Sequence, residues 1–250
     1  ALRGVPVWLS MLGAVIMSAF VGFLIGLPTL RLVGDYLAVA TMGLGEIARA
    51  VFKNWDSMTR GVKGLPGIPQ ATLVGVTFDS ARKFLALSLV MLVIVYIVAE
   101  RLLASPFGRA LKSIREDEMA VQALGKNTFW FKMWSLIIGS AIAGLAGSLF
   151  AHYINFIDPS SFVMWLTFFI FLIIMLGGLG NNLGAVIATA VFVAVRESLR
   201  FVNLPEQLNP DALQQLIFGV LLIAATIYLP RGIIPEKKAV VAKPQTSGDG

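Results

Sequence analysis

The chain has 250 residues, 57% hydrophobic and only 14% charged, with a formal net charge of +6 and no cysteine. A soluble domain is nearer half apolar and a quarter charged, so the composition points to a chain immersed in lipid rather than a water-soluble enzyme. Without cysteine there is no disulfide framework and no thiolate metal site; the basic residues are spread out, which suits loops at an anionic leaflet and not nucleic-acid binding.

Apolar runs divide the chain. Trp8 to Leu30 carries no charge and predicts a helix over about 8–31, long enough for a bilayer core and too long for a signal peptide. A second helix over about 36–52 is interrupted by Glu46 and Arg49. Three residues apart, these two can pair with each other. Either the helix ends near Glu46 with both at the interface, or they lie in the membrane beside a pathway, where ionisable groups are costly unless used. Residues 53–83 hold Gly61, Gly64, Pro66, Gly67 and Pro69, the composition of an ordered, irregular loop. Further helices are expected over about 84–103, 133–156, 162–178, 183–200 and 211–230. Buried backbone groups in lipid must bond within their own segment, so these runs are helical. The expected architecture is an all-α, polytopic transmembrane bundle of about seven segments.

Several local features follow from residue type. Gly139, Ala143, Gly147 and Ala151 recur every four residues, with Ser140, Gly144 and Ser148 alongside; such a ridge of small residues lets helices approach closely. Asp158-Pro159 reads as a turn at a span end. Gly177-Gly178-Leu179-Gly180-Asn181-Asn182 divides a long uncharged run as a tight turn. It lacks the Gly-Lys-Ser/Thr of a phosphate loop. His152 is the only histidine and has no cysteine or carboxylate cluster beside it, so no metal site is expected. No metalloprotease or serine-hydrolase pattern is present, so neither an enzyme nor a cofactor is expected. Residues 1–232 read as one membrane domain and 233–250 as a disordered tail. The 20 Lys and Arg divide almost evenly between the two faces of a seven-span arrangement, so charge does not orient it.

The interval over 104–132 is different. Leu111, Ile114, Val121 and Leu124 fall near one helical face of a helix at about 109–125, with Arg109, Lys112, Arg115, Glu116 and Asp117 largely around the other. Gly125 and Asn127 can end that helix and turn the chain. A helix lying on lipid would show a basic face, whereas Glu116, Asp117 and Glu118 would be repelled by anionic headgroups. A protein partner suits the segment better.

The run from Gly108 to Gly125 resembles the cytoplasmic coupling loop of ABC importer permeases, and more narrowly that of permeases for branched-chain amino acids. Four other stretches are similar to that family: Gly26 to Ala38, Thr41 to Glu46, Asn54 to Thr59, and Met175 to Gly180. The likeness covers about 20–232, and Glu118 stands one residue further from Gly125 than the glutamate of the general importer motif does. The resemblance implies a bacterial or archaeal cytoplasmic-membrane subunit working with two ABC ATPase subunits, a second homologous permease, an extracytoplasmic solute-binding protein and the lipid bilayer. It also implies further membrane helices before residue 1. It makes Arg109, Arg115, Glu116, Asp117, Glu118, Ala120 and Gly125 the expected ATPase-coupling residues, and marks Thr41 to Glu46 as a family signature without a mechanism. Thr41 and Glu46 are candidates for the translocation path because an ionisable group such as Glu46 is costly inside the membrane unless used. Gly139, Ala143 and Gly147 remain the expected packing row. A urea or short-amide importer, and an autonomous channel or secondary transporter, are the alternative functions.

Overall fold

The computed structural model describes residues 6–32, 34–73, 76–78, 80–199, 210–228 and 232–233. The chain forms two compact units, Ala1–Met164 and Trp165–Gly250.

In the first unit, α1 (Val7–Thr29) and α2 (Asp35–Asn54) are followed by the short α3 (Asp56–Thr59) and a 3-10 turn. Strands β1 (Leu65–Pro66), β2 (Thr72–Leu73) and β3 (Val76–Thr77) follow, then α4 (Ala81–Ala104), α5 (Pro106–Glu116), α6 (Glu118–Ala123), α7 (Thr128–Ile154) and β4 (Phe156–Ile157). The main packing is α1 against α7. Gly22 and Gly26 near the end of α1 meet Leu136, Ser140 and Met133 near the start of α7, while Ala14 and Ser18 meet Gly144. The two helices are therefore antiparallel. At one end of the pair, Val7, Met11, Ala71, Phe84 and Leu87 form the buried apolar cluster, with Leu149 packed on it. At the other end lie α5 and α6.

The loop expected over 53–83 is ordered. It joins α7 through antiparallel pairing of β1 with β4, Leu65 opposite Ile157. His152 is 4% exposed, and its Nδ1 lies 2.8 Å from the Pro69 carbonyl oxygen. Asn155 Nδ2 donates to the Ile68 carbonyl at 2.8 Å from a left-handed backbone, φ +58°, which Asn tolerates better than most residues. The lone histidine thus ties a loop to a helix end. As expected, Asp158 opens a turn: its carboxylate accepts from the Ser161 amide at 3.0 Å and caps the 3-10 segment Pro159–Ser161.

In the second unit, α8 (Met164–Gly177) and α9 (Asn182–Leu199) are joined by the expected tight turn. Gly178 and Gly180 have positive φ. A Cβ on Gly177 would lie 2.7 Å from the backbone of Gly184, so two glycines let the helix ends touch. Asn181 Oδ1 accepts from the Gly184 amide at 3.0 Å and starts α9. Phe169 and Phe192 rings meet at 5.4 Å across this pair. Helix α10 (Pro210–Tyr228) follows. The tail expected to be disordered lies, apart from Ile233, outside the described residues.

Helices occupy all seven expected positions. Among the described residues, four segments are long and apolar enough to cross a membrane: Val7–Thr29, Ala81–Ala104, Thr128–Ile154 and Pro159–Gly177. Helix α2 carries Asp35, Glu46, Arg49 and Lys53 and is not one of them. Trp8, Leu12, Ile16 and Phe20 of α1, with Leu85, Leu89 and Val93 of α4, point outward, a large exposed apolar surface suited to lipid or partner helices.

Candidate functional site

The segment between α4 and α7 builds the candidate site. Ser105 ends α4 and caps α5, accepting from the Gly108 amide at 3.3 Å, and Pro106 occupies the first turn, where its missing N–H is harmless. Gly108 is needed for the sharp corner, since a Cβ there would stand 2.5 Å from the Leu103 Cα. Arg109, expected to face a partner, is exposed and donates from Nη1 to the Ala104 carbonyl at 2.9 Å, completing the end of α4.

The single helix expected over 109–125 is two helices. Asp117 takes an extended backbone, φ −151° and ψ 102°, and its carboxylate accepts from the Ala120 amide at 2.9 Å. A short acidic side chain competes for backbone N–H groups and thereby breaks one helix and caps the next. The break resets the helical register. Ile114 and Val121 are buried as expected, but Leu124, assigned to the same inner face, is 78% exposed, as is Met119 at 80%. Gly125 then closes α6: its amide bonds to Gln122 O at 2.9 Å and that of Lys126 to Val121 O at 3.4 Å. This is a Schellman end, and it holds Gly125 at φ +77°.

Glu118 turns inward. Its carboxylate accepts from Lys132 Nζ at 2.5 Å, from Thr128 Oγ1 at 2.9 Å and from Gln122 Nε2 at 3.5 Å. The hydrogen bond from Lys132, helped by Thr128 and Gln122 and opposed by partial burial, holds its carboxyl below the usual glutamate range. Stacking of Phe107 on Phe131, with ring centroids at 5.8 Å, joins α5 to α7 as well. The hairpin is thus fastened to a membrane-length helix on one side and offers Met119, Ala120, Leu124, Glu116 and Gly125 on the other. Glu118 and Lys132 also line an open cavity of about 710 Å³ with Leu37, Ile114, Gly139 and Ala143.

Sequence reasoning missed Lys132, Thr128 and Gln122. Their signal was present: Glu118 with Gln122, and Thr128 with Lys132, are each four apart on their helices.

The other expected residues lie elsewhere. Thr41 Oγ1 donates to Leu37 O at 2.9 Å, within its own helix. Glu46 and Arg49 do pair, Oε2 to Nη1 at 3.2 Å. Helix α2 continues to Asn54, however, so the helix does not end near Glu46. Arg49 Nε reaches on to the Pro159 carbonyl at 3.1 Å. Of the expected packing row, Gly139 and Gly147 have no atom within 4 Å of where a Cβ would stand, whereas Gly144 in the neighbouring row would meet Ser18 Cβ at 2.5 Å. Helix α1 packs on that neighbouring row, and Ser18 Oγ donates to Ser140 O at 2.6 Å.

Comparison with known proteins adds to this geometry. Residues 1–226 match the family model described as the branched-chain amino acid transport system / permease component. The chain is 34% identical, over 93% of its length, to the high-affinity branched-chain amino acid transport system permease protein LivM of Salmonella typhimurium, and spans 58% of that protein. It is 32% identical over 91% of its length to the probable branched-chain amino acid transport permease protein LivM of Methanocaldococcus jannaschii, spanning 69% of it. To the permease protein LivH of Salmonella typhimurium it is 25% identical over 92% of its length, spanning 75% of that chain. No solved structure matches.

Proposed function

We propose that this chain, which belongs to the family of branched-chain amino acid transport system permease components, is the membrane-spanning subunit of an ATP-driven importer of branched-chain amino acids. The observation that carries the reading is the α5–α6 hairpin, fastened to α7 by Glu118 while Met119 and Leu124 stand outward at 80% and 78% exposure. Apolar side chains this bare on a polar hairpin mark a protein contact. In this reading two ATPase subunits receive the hairpin, a related permease chain, like the LivH relative, completes the path, and a solute-binding protein delivers cargo outside. Residues 1–232 form the permease domain, placed in the cytoplasmic membrane, and the chain itself hydrolyses nothing.

The mechanism follows from the fastenings. Closure of the ATPases moves the hairpin, and the Glu118–Lys132 pair and the Phe107–Phe131 stack carry that movement into α7. Outward- and inward-facing states are then two arrangements whose balance nucleotide and loaded binding protein shift.

Leucine, isoleucine and valine, supplied with the binding protein, are expected to stimulate ATP hydrolysis by the reconstituted complex, and urea is not. Uptake that persists without any ATPase would remove the importer reading. Gly125→Ile is expected to uncouple uptake from hydrolysis while membrane insertion stays normal. A β-branched residue at positive φ costs about 1–2 kcal/mol, enough to unwind a helix of six residues. Wild-type uptake in that variant would contradict the role given to α6.

A further inference from the structure

A second cavity, of about 440 Å³, lies at the far end of α2 from the hairpin, between α2, the ordered loop and the turn after α7. Its walls include Phe52, Leu65, Ile157 and Phe162, with Arg49 and Asp158 as the charged groups. The arginine is only partly used. Its side chain is 25% exposed; Nε and Nη1 are bonded to Pro159 O and Glu46, and Nη2 has no protein acceptor among the described residues. A guanidinium so fixed presents a preset donor pair, suited to a carboxylate. Asp158 is kept ionised by the hydroxyls of Ser160 and Ser161. Gly45 leaves the α2 side open, since a Cβ there would meet nothing within 4 Å.

We infer that this cavity is a subsite for a zwitterionic amino acid with an aliphatic side chain, its carboxylate on Arg49, its ammonium towards Asp158 and its side chain among Phe52, Leu65, Ile157 and Phe162. The inference rests on the permease reading and assigns cargo contact to this chain as well as to a binding protein. An apolar wall with a few convergent polar groups is the usual form of a small-ligand site. An aliphatic amino acid would bring a carboxylate to Nη2 of Arg49, whose Nη1 is held by Glu46, and an ammonium to Asp158.

The test uses the purified complex of permeases and ATPases, without binding protein, and radiolabelled L-leucine. Wild-type complex is expected to bind leucine, with 4-methylpentanoate and leucinol each competing at least about tenfold more weakly, the scale of one lost charge-assisted contact. Arg49→Met is expected to weaken leucine binding by about tenfold to a hundredfold, Arg49→Lys by less, and Phe162→Trp, which narrows the apolar end of the cavity, to weaken it as well. Each variant is checked for co-purification with the ATPases, so a misfolded chain is recognised. Leucine binding unchanged in both Arg49→Met and Phe162→Trp, or 4-methylpentanoate competing as well as leucine, overturns the subsite. Leucine-stimulated hydrolysis with loaded binding protein is measured in parallel. If stimulation holds while leucine binds independently of Arg49 and Phe162, the subsite fails and the permease reading stands; if stimulation itself is absent, the permease reading fails.

Discussion

Glu118→Ala and Lys132→Ala are each expected to lower leucine uptake by roughly tenfold, with ATP hydrolysis reduced much less, so that more ATP is used per molecule carried. The carboxylate of Glu118 is the point where α6 is held to α7, with Lys132 at 2.5 Å and Thr128 at 2.9 Å. Each side chain is about one-third exposed, so the pair contributes only about 1 kcal/mol to stability after screening by water. Its larger effect is on transmission, where a residue on the connecting path modulates coupling by about 0.5–2 kcal/mol. Because both variants break one pair, their effects on uptake should not add. Additive losses, or losses matched by an equal fall in hydrolysis, would show that the pair is not the link. The pH dependence has a definite sign. The folded carboxyl lies below the ordinary glutamate range, so its stabilisation is full above that range and disappears as pH falls through the lowered value. Protection of the α6 amides, taken relative to intrinsic exchange at the same pH, is therefore expected to fall on that acid limb in wild type and not in Glu118→Gln.

Gly144→Val is expected to damage folding severely, and Gly139→Val to be tolerated. A Cβ on Gly144 would stand 2.5 Å from Ser18 Cβ and 2.7 Å from the Ala14 carbonyl oxygen. Backbone on the facing helix cannot swing aside, so the antiparallel α1–α7 pair must separate. Overpacking of this kind costs about 1–3 kcal/mol, and the backbone contact puts Gly144 at the upper end. Gly22→Val should behave similarly, since its Cβ would lie 2.6 Å from Ser140 Cβ. A Cβ on Gly139 or Gly147 would meet no neighbouring element within 4 Å. Thermal stability of the detergent-solubilised complex, read by size exclusion, checks the contrast. Equal loss at Gly139 and Gly144 would mean that the free row is covered by another chain.

The two predictions divide along the line between what could be read in the chain and what could not. Uncharged runs too long for anything but membrane-length helices, glycine turns between them and the charged interval over 104–132 were legible, because each follows from a property of consecutive residues. So was the Glu46–Arg49 pair, which spacing along one helix allows. Whether α2 ends near Glu46 or runs on was left open by the sequence. It runs to Asn54, and Arg49 on its last turns meets the Pro159 carbonyl, 110 residues away.

By itself the sequence determined that this protein is a helical membrane protein with a charged interval between two of its helices. Local composition and hydrophobic runs suffice for that, since lipid forces every buried backbone group to bond within its own segment. Which faces meet was decided only by the tertiary structure. Gly139 and Ser140 are adjacent, and adjacent residues on a helix point about 100° apart. Two rows of small residues on α7 were therefore equally able to pack. The choice fell to the row matching Ala14, Ser18 and Gly22 on α1, also spaced by four. In the hairpin, Asp117 had to choose between continuing one helix and capping the next. Its choice turned Leu124 outward and left Glu118 facing Lys132, making the same acidic run both a handle and a fastening.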